Sequence, residues 1–174
     1  RGLDEKGNIK LEDAQLSLRS SKAPQAVALF RDTKSDLVMG GRFQHYPYIE
    51  AASIPAEQIQ FDPTPGLFGL RFESSGPFLS SAQNREAIAM AIDRPKMLAS
   101  FDLVAWQEML TLVPETMRNR LPVARPEWAK LQVVERQQRA KAIIAGWTAS
   151  KGAVRPLQIA MPEGPGARML FARL

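Results

Sequence analysis

The apolar positions along the chain alternate between two spacings, and each spacing predicts a different element. After the turn signal Gly7-Asn8, the residues Ala14, Leu16 and Leu18 alternate with Asp13, Gln15, Ser17 and Arg19, the period of a strand with one buried face. Ser21 is placed to cap a helix with Pro24 in its first turn, whose apolar face is Ala23, Ala26, Val27, Leu29 and Phe30. A short apolar run, Asp36-Leu37-Val38-Met39, then stops at Gly40-Gly41. Strand, helix and strand in that order predict a βαβ unit with a right-handed crossover and parallel strands.

Beyond it, residues Tyr46 to Ala52 predict a short helix. Two further strands are expected over Gln58 to Asp62 and Leu67 to Glu73, with Pro63, Pro65 and Gly66 turning the chain between them. The pattern from Ser81 to Ile92 is helical, and Asp93 is placed to cap a second helix, with Pro95 in its first turn and Met97, Leu98 and Phe101 buried. Pro114, Pro122 and Pro126 forbid a long helix between Val113 and Trp128. Val134 to Trp147 returns to helical spacing, Gly152 breaks it, Leu157 to Met161 predicts a strand, and a last helix is expected from Ala167. This order predicts one α/β domain over 1–174 with a mixed sheet flanked by helices. No repeat, low-complexity tract or Gly/Ser linker divides it.

Composition narrows the chemistry. There is no cysteine, which removes disulfides, thiol nucleophiles and thiolate metal sites. The 23 Lys and Arg against 18 Asp and Glu give a net charge of +5, but the cations are dispersed, so nucleic acid is not an expected partner. No apolar run reaches the roughly 20 residues of a membrane-spanning helix. The single histidine, His45, stands in a Gly-Gly-Arg-Phe-Gln-His-Tyr-Pro-Tyr stretch with no G-x-S-x-G elbow elsewhere, so neither a serine triad nor a metal shell is expected. Gly40-Gly41 and Gly164-x-Gly166 lack the lysine or third glycine of phosphate-binding loops.

Two segments carry a family resemblance. Pro77-Phe78, Arg85-Glu86-Ala87 and Ala91-Ile92-Asp93-Arg94 resemble the P-F, R-x-A and A-(I/L)-D-R signature of the peptide and nickel type of periplasmic solute-binding proteins. Ala140-Lys141-Ala142-Ile143-Ile144-Ala145-Gly146-Trp147 is similar to that family's A-x-x-L-L-x-x-A-G-(Y/F) helix end, about two residues short before the glycine. Asp36-Leu37-Val38-Met39 and Val113-Pro114 match further family elements, whereas Glu73-Ser74-Ser75 stands where many relatives carry Asn.

The resemblance implies an incomplete C-terminal lobe of a periplasmic-binding-protein-like fold, cut from a longer protein with two α/β lobes. It also implies a non-enzymatic function: the substrate-binding component of an ABC importer, periplasmic or otherwise extracytoplasmic, held at the membrane through the transporter. Its partners would be a peptide or similar small solute and the permease subunits, with no cofactor. The alternative is a stand-alone protein-interaction module with the same lobe fold. Loops beyond the carboxyl ends of parallel strands are where such sheets hold ligands, which points to Gly41, Arg42 and Tyr46 in one loop and Glu163 and Arg168 in another as ligand-binding candidates.

Overall fold

The computed structural model describes residues 16–62, 66–73, 76–101, 103, 106–113 and 124–174. The chain separates into two compact units, Arg1–Ile54 and Pro55–Leu174.

In the first unit, α1 (Ala23–Arg31) begins with Pro24 in its first turn, as the missing proline N–H allows there. Its N-cap is Lys22 and makes no side-chain cap, so Ser21 does not do the capping that its position suggested. A 3-10 turn (Phe43–His45) leads into α2 (Tyr46–Ala51), which packs on α1. The two helices end alike. Thr33 and Ser53 both adopt left-handed backbone, and the next amide reaches back five residues, Lys34 N–H to Leu29 O at 2.8 Å and Ile54 N–H to Ile49 O at 3.3 Å.

The second unit is built on α4 (Ala82–Ala91) and α6 (Val133–Lys151), with α3 (Gly76–Ser80), α5 (Arg94–Ala99) and α7 (Pro165–Phe171) around them. Side-chain caps set the starts. Ser81 Oγ accepts from the Asn84 amide at 3.4 Å, Asp93 Oδ1 from the Lys96 amide at 3.1 Å, and Glu135 Oε2 from the Gln132 amide at 2.8 Å. Helix α6 overruns the expected Trp147 by one turn and stops at Gly152, whose φ of 87° suits glycine.

The core of this unit is Ala87, Met90, Trp128 and Ala140, with Leu110, Leu131, Ile143 and Ile144 packed against them. Ala87 on α4 and Ala140 on α6 are small enough to bring the two helix backbones close. The helices run antiparallel: Gln137 Nε2 donates to Ala91 O at 3.1 Å near one end, and Trp147 meets Phe78, just before α4, at the other. Phe101 is fully buried beyond α5, against Trp106 at a ring separation of 5.0 Å, while Met97 and Leu98 are half-buried.

The expected α/β lobe with a mixed sheet is not what forms. Among the described residues the fold is helical, with no strand. Residues 16–20, 36–41, 59–62, 66–73 and 157–161 are non-helical, and no backbone hydrogen bond joins one of them to another. The reason is physical. A period of two assigns side chains to faces, but a strand exists only where a neighbour accepts its amides and covers its apolar face. Here Leu16 and Leu18 are each 81% exposed, and Leu37, Met39, Leu67 and Phe68 also face solvent. The βαβ reading of 14–39 fails with them. Phe78 of the P-F pair lies within α3. The expectations for 1–15 and for the loop over 114–123 fall outside the described residues.

Gly146 is an interior residue of α6, where glycine costs roughly 1 kcal/mol relative to alanine. A Cβ placed on it meets nothing within 4 Å. Gly146→Ala is therefore expected to raise stability by about 0.5–1 kcal/mol in urea unfolding. A lowered midpoint would mean that the space over Gly146 is filled.

Candidate functional site

The ligand-binding candidates divide between the two units. Gly41 and Arg42 are exposed, directly before the 3-10 turn, and Tyr46 opens α2 half-buried. This turn is closed by its own histidine: the Arg42 amide donates to His45 Nδ1 at 3.3 Å and the His45 amide to Arg42 O at 2.8 Å. His45 thereby acts as a local cap. In the second unit Glu163 and Arg168 are exposed at the start of α7, where Gly164, with φ 142°, makes the bend. The structure thus gathers Gly41, Arg42 and Tyr46 into one turn, and Glu163 with Arg168 around another.

The family-like signature residues have definite structural work. Arg85 Nη1 donates to Leu79 O at 2.8 Å and Ser80 O at 3.0 Å, closing the end of α3. Asn84, buried at the start of α4, donates from Nδ2 to Phe78 O at 3.0 Å. Arg94 Nη1 donates to Ala89 O at 2.9 Å and Ile92 O at 3.4 Å, satisfying carbonyls that the end of α4 leaves open. Asp93 caps α5 as its place in the sequence predicts. Phe78 meets Trp147 edge to face, centroids 5.6 Å apart and planes at 80°.

Two arrangements stand out that the sequence candidates do not include. The first is a buried ionic cluster. Trp128, from the 3-10 turn Glu127–Lys130, carries the guanidinium carbons of both Arg94 and Arg136 over its indole, each 5.8 Å from a ring centroid. Arg136 is only 4% exposed, and its Nη2 is 3.9 Å from Glu108 Oε1. Arg136 Nε and Nη1, Glu108 Oε2 and Trp128 Nε1 are buried without a hydrogen-bond partner. Burial lowers the Arg94 pKa below its ordinary value, with Glu108 opposing that shift and Arg136 adding to it. An arginine remains charged regardless, so the cluster holds two cations against one carboxylate. Its members join α5, the 3-10 turn and α6, with Arg136 and Trp128 buried and Arg94 and Glu108 half-buried.

Sequence reasoning passed over Arg136 because it sits in the polar run Glu135-Arg136-Gln137-Gln138-Arg139. A signal was available: Arg136, Ala140, Ile143 and Trp147 follow one another at i, i+4, i+7 and i+11, which is the inward stripe of α6.

The second arrangement is an open groove of about 460 Å³ between α4 and α6. Ala142, Ile143, Gly146 and Trp147 provide its apolar part. Gln83, Asn84, Arg139 and Ser150 provide the polar part, and Arg139 is the only charged residue in the lining among the described residues. Arg139 makes no hydrogen bond or ion pair among the described residues.

Among the described residues no group of His, Asp and Glu is placed to hold a metal ion, and no helix is long and apolar enough to cross a membrane. Comparison of the chain with known protein families, with curated proteins and with solved structures finds no match in any of the three.

Proposed function

We propose that this chain is part of the solute-binding component of an ABC importer, contributing one side of a hinged clamp for peptides or similar small solutes, outside the cytoplasm and in contact with the permease. The observation that supports the reading is that its two signature segments, residues 77–94 and 140–147, form one packed unit. Phe78 of the P-F pair sits on Trp147 of the helix-end motif, and Ala87 of the R-x-A element packs in one core with Ala140. Arg85, Asp93 and Arg94 each cap a helix end in that same unit. In such a clamp binding shifts a population of open and closed forms and breaks no bond.

A second reading, an interaction module that docks on another protein, is favoured by the exposure of Leu16, Leu18, Leu37 and Met39, apolar side chains that a docked partner would take out of water.

The test uses the full product of the reading frame that encodes this chain. Saturable binding of a short-peptide mixture or of nickel chelates, followed by calorimetry, together with loss of uptake of the same solute when the gene is deleted, is the expected result. Normal uptake of every solute class in the deletion strain would sink the importer reading.

A further inference from the structure

The groove between α4 and α6 has the size of a small-molecule site, such sites spanning roughly 300–1,000 Å³. Its chemistry is one-sided. Arg139, Ile143, Gly146 and Ser150 recur at i, i+4, i+7 and i+11 along α6, so they line one face of the helix over about 16 Å. A cation stands at one end, an apolar wall of Ile143 and Trp147 begins about 6 Å further on, and a hydroxyl closes the other end. The edge-to-face contact with Phe78 holds the Trp147 indole in place, so the wall exists before any ligand arrives. Gly146 leaves open the space between the wall and Ser150, since a Cβ there would touch nothing within 4 Å.

We propose that this groove binds a small amphipathic carboxylate, with the acid on Arg139 and one aromatic or branched apolar side chain against Ile143 and Trp147. The charge of the lining selects the class. A guanidinium with no hydrogen bond or ion pair among the described residues complements a carboxylate through two parallel N–H donors. A phosphate would call for a second cation, and the lining has none. The spacing of about one helical turn between cation and wall matches an acid whose apolar group is two or three bonds from its carboxyl carbon. Gln83, exposed at the rim, offers an amide for a neighbouring peptide-like group. The site rests on the groove alone and stands or falls separately from the importer reading.

The experiment is a titration of the 174-residue chain with N-acetyl-phenylalanine and, as the uncharged control, N-acetyl-phenylalaninamide, read from the amide and indole N–H resonances of Gly146 and Trp147. The acid should produce a saturable shift, with the amide at least about fivefold weaker, the scale of one charge-assisted contact at a partly exposed site. Arg139→Gln should weaken the acid by a similar factor and Arg139→Lys should recover part of it. Gly146→Leu should abolish the shift by filling the groove. Arg139 makes no contact whose loss would unfold the chain, so an unchanged thermal melt is expected for both Arg139 variants. Equal binding of acid and amide, undiminished binding by Arg139→Gln, or no saturable shift would each overturn the proposal.

Discussion

Trp128→Ala is expected to remove about 3–5 kcal/mol from the stability of the Pro55–Leu174 unit, the range for deleting a buried aromatic side chain. The loss should lie toward the upper end, because the indole does two things. It fills the core beside Ala87, Met90 and Ala140, and it offers its ring to two guanidinium groups that its removal would leave beside a cavity. Trp128→Phe keeps a ring against the arginines and removes an indole N–H that has no hydrogen-bond partner among the described residues. That change should cost no more than about 1–2 kcal/mol, because the lost volume is partly offset by relief of a buried unsatisfied donor. Urea unfolding of the two variants decides the matter. Equal losses would mean that the ring's contacts with the two arginines add nothing to stability.

The pair Arg136 and Glu108 leads to a prediction whose order of effects is fixed by burial. Glu108→Leu leaves Arg136, 4% exposed, with no carboxylate facing it among the described residues, and should cost about 3 kcal/mol or more. Arg136→Met removes a buried charge and leaves Glu108, whose side chain is 28% exposed, able to turn to water. Its cost should be less than half as large. The double variant should unfold within about 1 kcal/mol of the parent, since an apolar pair often replaces a buried ion pair at no loss. A double-mutant cycle measures all three. If Arg136→Met proves the costlier single change, the guanidinium holds the unit together through its stacking on Trp128 more than Glu108 does by neutralising it.

How much of this was legible in the sequence depended on how far each feature reaches along the chain. Asp93, Pro95 and the alanines of Ser81 to Ile92 predict α4 and α5 correctly because a cap, a first-turn proline and a helical face are local devices, complete within a few residues. The stop at Gly152 is of the same kind. Leu16 and Leu18, Leu37 and Met39, or Leu157 and Ile159 are different. Their alternation specifies a face, but the partner that would make it a strand must come from elsewhere, and no stretch of sequence carries that information. The cluster around Trp128 was hidden for a related reason: Glu108, Trp128 and Arg136 converge from three elements, and each residue alone reads as ordinary surface. The groove went unread because Arg139 and Ser150 are typical of a solvated helix face until α4 is laid beside them.

The non-helical segments have a consequence for the lifetime of the chain. Proteases take their substrates as extended backbone with free amides and carbonyls, a shape a helix must unravel to adopt. Arg71, exposed within 66–73 and paired only with its near neighbour Glu73, already offers that shape, as does Arg155 after α6. Arg139 and Lys141, in the middle of a 19-residue helix packed on α4, do not. A trypsin-like enzyme would therefore trim the chain at its exposed non-helical stretches first and leave the α4 and α6 pair as the last resistant piece, so in a compartment rich in proteases whatever covers those stretches also sets how long the protein survives.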